Sequence, residues 1–242
     1  MSAESTTKSS DADAPGGGVN PSPNGNEVRV RTIPEQIVEI VSDSGEGAQT
    51  AGQLFGTVSA KMGNGLWTVE IIPAEIEPPA RSQEGASGIR IRFGTEPMTN
   101  MGDQADLVVS FNEQVLYSRI DQNALRTGTV LLIDDRWAAD EDPVIQEAYQ
   151  KALDDFRSRG YDVRGIPIHS ETSKITDTPM RGKNMWVVGL LCDIYNRDLN
   201  IAKDEVQKIF ESKRKCQAVV DMKNKLLDAG HAWAIEHLDE RL

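Results

Sequence analysis

Between residues 36 and 72 an apolar run, a glycine-bearing turn, an amphipathic segment and a second apolar run follow one another, and this order constrains the fold most. "QIVEIVS" (36–42) reads as a strand, "AQTAGQLFGTVSAKMG" (48–63) as a helix and "LWTVEII" (66–72) as a second strand. The expected product is a βαβ unit. Its turn lies in "VSDSGEGAQTAGQLFG", Val41 to Gly56, where four glycines stand among small polar residues.

The same alternation continues. "GIRIRF" (88–93) alternates strictly, which predicts a strand with one wet face, whereas "ADLVVSF" (105–111) and "TVLLIDD" (129–135) read as buried strands. "DPVIQEAYQKALDDFRSRG" (142–160) opens with an Asp N-cap and Pro and closes with Gly, so both helix signals agree. "YDVRGIPI" returns to the sheet. "KNMWVVGLLCDIYNRD" is apolar nearly all round, while "AKDEVQKIFESK" and "CQAVVDMKNKLLDAGHAWAIEHL" are amphipathic. The pattern predicts a three-layer, Rossmann-like α/β domain with a largely parallel sheet and C-terminal covering helices.

Residues 1–26 carry no aromatic and almost no large aliphatic side chain, so burial there cannot offset the entropy of ordering. They are expected to be a disordered tail ahead of a domain over 27–242. A net charge of −12, from 38 acidic against 26 basic residues, offers no broad positive field for nucleic acid or anionic lipid. No apolar stretch approaches the roughly 18–20 residues of a membrane span, and the start lacks a signal-peptide core. A cytoplasmic location is expected.

In an open α/β sheet, ligands bind outside the carboxyl ends of the strands, and the first βα turn is where glycines let backbone N–H groups approach a phosphate. Gly45 and Gly47 supply a GxG there, but Thr50 occupies the place of the third glycine of GxGxxG, and the next glycine is Gly52. Three readings stand: an anion or nucleotide site, a turn needing positive φ at Gly45 or Gly47, and a subunit contact. Gln49 and Thr50, at the helix start, suit either hydrogen bonding to a pyrophosphate or capping. Glu46 would repel a phosphate unless it faces solvent or pairs with a cation such as Arg81. Glu70, closing the second strand, stands near the place of a ribose-binding acid.

Other reactive side chains do not assemble into a site. His169 follows a strand without a nucleophile or partner acid, His231 and His237 belong to the last amphipathic helix, and Asp134–Asp135 read as a turn signal. "ESKRKC" (211–216) reads as a solvated helix end. Cys192, inside an apolar helix, reads as a small hydrophobe, and with Cys216 as the second of only two cysteines no iron–sulfur cluster or zinc site is supported.

Taken in order, "EIVSDSGEGAQTAGQLFGTVSAKMG", "ASGIRIRFGTEPM", "ADLVVSFNEQVL", "GTVLLIDD" and "KNMWVVGLLCDIYN…VQKIF…NKLLDAG" resemble the gamma domain of 2-oxoacid:ferredoxin oxidoreductases, from about Val30 to Gly230. The strand ending at Asn112 and the helix from Asn184 to Gly189 are its most specific parts. That family decarboxylates 2-oxoacids on thiamine diphosphate, passes electrons through iron–sulfur clusters to ferredoxin and transfers the acyl group to coenzyme A. The resemblance implies that the loop of Gly45, Glu46, Gly47, Gln49 and Thr50 holds the nucleotide end of coenzyme A or shapes its cleft. It places thiamine diphosphate, magnesium and the clusters in partner alpha and beta subunits or domains, with ferredoxin reached through the complex. Where many gamma domains carry "RGG", this chain has "ARSQEGASGIR", with Arg81 or Gly85 in that place. The ending "AGHAWAIEHLDERL" looks like the approach to a fused alpha subunit of a 2-oxoglutarate enzyme, so the chain is expected to be a separate gamma subunit or a piece of such a fusion. The alternatives are a stand-alone NAD-binding enzyme using Glu70 and an assembly module whose glycine loop is only a turn.

Overall fold

The computed structural model describes residues 18–21, 27–72, 86–212 and 216–242. Its centre is a six-stranded sheet. In chain order its strands are β3 (Glu35–Ser42), β4 (Gly65–Ile71), β5 (Ser87–Gly94), β6 (Ala105–Ser110), β7 (Leu125–Asp134) and β8 (Asp162–Ile166). They lie in the order β4-β5-β3-β6-β7-β8. From β3 to β8 all pairings are parallel, while β5 runs antiparallel to both β3 and β4.

Helices cover both faces. Helix α1 (Ala48–Lys61), α5 (Lys183–Ile194), α6 (Leu199–Ser212) and α7 (Gln217–His237) pack on one side, with Val38, Ile40, Ile91 and Val109 of the sheet. On the other side α2 (Val115–Asp121) and α3 (Pro143–Ser158) bury Val115, Leu116, Tyr149 and Phe156 against Ile37, Val41, Val108 and Leu131. A short helix α4 (Ile168–Ser173) follows β8. Alternate residues of β3 feed opposite cores, which is why its apolar run is nearly continuous.

Two expectations need correction. The βαβ unit is split, because β5 inserts between β3 and β4 and supplies the hydrogen-bonding partner for each. Nor does "GIRIRF" have a wet face at Arg90, which is 5% exposed. Its guanidinium Nε donates to Glu39 Oε1 at 2.8 Å, directly opposite it on β3, and Arg119 of α2 donates to both oxygens of the same carboxylate at 2.9 and 2.7 Å. The remaining Arg90 donors reach the carbonyls of Gly102, Asp103 and Ala124. Paired and fully hydrogen-bonded, an arginine can be buried where an alternating pattern predicts water.

The tail reading also changes in part. Gly18–Pro21 forms a strand, β1, antiparallel to β2 (Glu27–Val30), and β2 pairs in parallel with β9 (Glu240–Arg241). The rest of residues 1–26 lies outside the described residues, as do Arg81, Gly85 and the basic core of "ESKRKC". The sequence patterns had also given no sign of α2, α4 or the small sheet.

Helices α5 and α7 cross at two facing glycines. A Cβ on Gly189 would lie 2.0 Å from the Leu227 carbonyl oxygen, and one on Gly230 would lie 1.9 Å from that of Trp186. Backbone touches backbone, so neither helix can yield by rotating a side chain. Gly230→Ala is therefore expected to cost about 2–3 kcal/mol or more, by overpacking that outweighs alanine's helix propensity. A urea-unfolding midpoint that does not fall would contradict this.

Candidate functional site

The parallel strands all end at one edge, and the loops beyond them meet the start of α5. Gly45 and Gly47 both adopt positive φ, at 89° and 90°, so the turn reading of these glycines is correct whatever else the loop does. Gly47 is also the residue that caps α1, with no side-chain hydrogen bond to the first-turn N–H groups. A Cβ there would meet Asn184 Nδ2 at 2.8 Å, whereas one on exposed Gly45 would meet nothing within 4 Å. Gly52 is different in kind: its Cβ would lie 1.9 Å from Ile89 Cγ2. Its absence of a side chain lets α1 press on the sheet, the task of the displaced third glycine.

Glu46 is buried between these glycines, 8% exposed. The cation beside it is Lys183, the first residue of α5, with Nζ 3.7 Å from Glu46 Oε1 and 2.8 Å from Asp134 Oδ2. Lys183 is 1% exposed and Asp134 fully buried, and Phe111 contributes its ring face 5.8 Å from the ammonium. Asp134 Oδ1 accepts from the backbone N–H of Arg136 at 3.4 Å and of His169 at 3.1 Å. Asn112 ties two loops together: its amide donates to Asp43 Oδ2 at 2.8 Å and its oxygen accepts from Gln114 N at 3.0 Å.

Burial pushes the Glu46 carboxyl up to about 7; Lys183 opposes this, while Asp43 and Asp134 add to it. Protonation of Glu46 is thus favoured well above the usual carboxylate range, which softens its repulsion toward an anion at the turn. His169 is half-buried and its pKa is lowered by burial and by Arg136 and Lys183, so its ring favours the neutral form.

Gln49 is half-buried, and its amide reaches the Ile71 carbonyl at 3.5 Å, tying α1 to β4; Thr50 is exposed on the first turn. Gly45, Glu46, Gly47, Gln49 and Thr50 are thus contiguous at one helix start. Glu70 is not with them. The strand beside β3 on that side is β5, and Glu70, on outlying β4, accepts instead from Gln53 Nε2 at 2.9 Å. The dinucleotide reading loses its acid by this insertion.

Sequence reasoning missed the part played by Lys183, Asn184, Asp134 and Asn112 here. A lysine heading an almost wholly apolar helix was the available signal, since the first turn of a helix repels a cation and something must hold it. Cys192 is fully buried and its thiol is pushed up to about 12 by burial, so it serves as a core side chain and not as a thiolate ligand. Among the described residues no group of three or more His, Cys, Asp or Glu is arranged to hold a metal ion, and no helix is long and apolar enough to cross a membrane.

The family model for pyruvate ferredoxin/flavodoxin oxidoreductase matches residues 38–233. The chain belongs to that family. Among curated relatives, the 2-oxoglutarate oxidoreductase subunit KorA of Mycobacterium tuberculosis is 26% identical over 185 residues, 73% of this chain but 28% of KorA. The chain therefore spans less than a third of that relative's length.

Solved structures agree on the fold. A 2-oxoglutarate:ferredoxin oxidoreductase from Magnetococcus marinus, with 2-oxoglutarate, coenzyme A and succinyl-CoA bound, superposes with TM-score 0.66 at 22% identity, covering 87% of this chain and 32% of that one. The pyruvate oxidoreductase subunit PORC of Thermotoga maritima gives 0.57 at 15% identity, covering 83% and 97%. The gamma subunit of a keto/oxoacid ferredoxin oxidoreductase from Geobacter sulfurreducens gives 0.56 at 14%, covering 84% and 97%. The described fold is thus that of gamma subunits in this oxidoreductase family.

Two measurements test the site's electrostatics. A carboxyl raised from 4.5 unfolded to about 7 folded stabilises the fold fully below pH 4.5. That contribution, about 3 kcal/mol, is lost as pH rises through 7. Glu46→Gln should flatten this decline, seen as urea midpoints that differ from the parent's above pH 7 in the variant's favour. Lys183→Met leaves Asp134 buried without its cation and should cost about 3–5 kcal/mol, whereas adding Asp134→Asn should restore part of the loss. Simple additivity of the two substitutions would contradict the pairing.

Proposed function

We propose that this chain is the gamma-type domain or subunit of a 2-oxoacid:ferredoxin oxidoreductase, and that its Gly45–Thr50 turn contributes to binding coenzyme A. The observation that carries the reading is the uncapped start of α1, with two positive-φ glycines, at the carboxyl edge of the sheet beside buried Lys183. Backbone N–H groups there lack side-chain acceptors, and the helix dipole favours negative charge, so a phosphate or pyrophosphate suits the turn. Glu46 turned inward to Lys183 leaves the exposed rim of the loop to Gly45 and Thr50. Coenzyme A in the Magnetococcus enzyme and the name of KorA support the cosubstrate and a 2-oxoglutarate substrate.

Coenzyme A, when bound, supplies the thiol that receives the acyl group. The part assigned to this chain is to hold its anionic end. Thiamine diphosphate, magnesium and iron–sulfur clusters belong, on this reading, to partner alpha and beta subunits or domains, since two cysteines cannot furnish the four thiolates of a cluster. Ferredoxin would take the electrons from those partners.

The test uses the complex purified with this chain. Gly47→Val places a branched side chain against Asn184 at a positive φ and should raise the KM for coenzyme A by about tenfold or more. The KM for the 2-oxoacid should change little. An unchanged coenzyme A KM would leave the loop as a turn within an assembly module, and calorimetric binding of NAD but not coenzyme A would favour an independent nucleotide-binding enzyme.

A further inference from the structure

At the opposite, amino end of the parallel strands lies a cavity of about 520 Å³, within the usual range for small-molecule sites. The segment after β2, the ends of α1, β5 and α5, and the last residues of the chain enclose it. Among the described residues the charged side chains that line it are Arg31, Arg197 and Arg241 against Glu35 and Asp193, a cationic excess in a chain of net charge −12.

Both acids are already engaged. Asp193 pairs with Arg241 at 2.5 Å, and Glu35 with Arg92 at 2.7 Å. Arg31 has a distant partner, Glu240 at 3.8 Å, and 62% of its side chain is exposed at the rim. Arg197 forms no ion pair among the described residues. Its guanidinium lies 5.2 Å from the Phe93 ring centre, and its Nε is buried without a hydrogen-bond partner.

Placement after the end of α5 accounts for a positive charge at this point, because helix C-termini attract cations. It does not account for the side chain's direction, since the backbone N–H of Arg197 bonds the Cys192 carbonyl of α5 while the guanidinium rests on Phe93. Burial lowers the Arg197 pKa, the mark of a desolvated cation without a nearby carboxylate. Ile33, Met62 and Phe93 supply apolar wall to the same cavity as Arg197 and Arg31.

We infer that this cavity is a second binding site, for a small dicarboxylate, with one carboxylate on Arg197 and the other on Arg31. Planar guanidinium suits carboxylate through paired N–H donors, and the apolar wall suits a short aliphatic body between the two acids.

Calorimetric titration of the full protein, with the subunits that co-purify with it, uses glutarate as the probe and inorganic phosphate at equal ionic strength as the comparison. The expected result is a glutarate binding event that Arg197→Gln weakens about tenfold or more and Arg197→Lys weakens less, with phosphate binding more weakly. Circular dichroism and melting temperature report whether the variants fold. If Arg197→Gln does not fold, Arg31→Gln at the exposed rim takes its place and is expected to weaken binding. Identical glutarate isotherms for the parent and the folded variant would overturn the site. Phosphate binding as tightly as glutarate would overturn the dicarboxylate assignment.

Discussion

A fully buried glutamate in the central strand fixes the architecture. Glu39 is directly opposite Arg90 of β5 and is also gripped by Arg119 of α2, so one carboxylate joins two strands and a helix. Removing any one partner would leave charge in a low-dielectric interior, which makes the arrangement intolerant of a shift in register. With β5 locked against β3, the strand that follows α1 can only join the sheet beyond it. The first helix therefore crosses over β5 before the chain re-enters the sheet, and Gly52 is what lets it pass so closely above Ile89.

That displacement shapes the carboxyl edge. In a dinucleotide fold the strand beside the glycine turn carries an acid for the ribose; here β5 runs the other way and Glu70 is removed to the outer strand. The space is bounded instead by α5, whose first residue brings an ammonium to Asp134 and Glu46 and whose second packs on Gly47. The close approach of Gly189 to the Leu227 backbone and of Gly230 to the Trp186 backbone holds α5 against α7 and so sets where Lys183 lands. The turn is thus supported from beneath by a buried charge cluster, while its outer rim stays small and polar.

Much of this was legible from local pattern. The strands and long helices follow from apolar periodicity, and the caps of α3 follow from Asp142 and Pro143. Small elements such as α2 and the β2–β9 pairing escaped because seven residues or fewer carry too little periodicity to register. Arg90 was read as solvent-facing for a different cause: its burial depends on Glu39 and Arg119, and since Glu39 is 51 positions from Arg90 and 80 from Arg119 along the chain, only folding joins the three.

The sequence by itself determined an α/β domain, a glycine-bearing turn after the first apolar strand of its βαβ pattern, and a likeness to oxidoreductase gamma domains spread over most of the chain. Those properties are local, or are ordered along the chain, and survive without knowledge of what packs on what. Tertiary structure alone decided that β5 splits the βαβ unit, that Glu46 turns inward to Lys183, and that Arg197 is left without a carboxylate among the described residues. Each of these is a matter of which charges meet after burial, and the energy of a buried charge depends on its spatial neighbours rather than on its place in the chain.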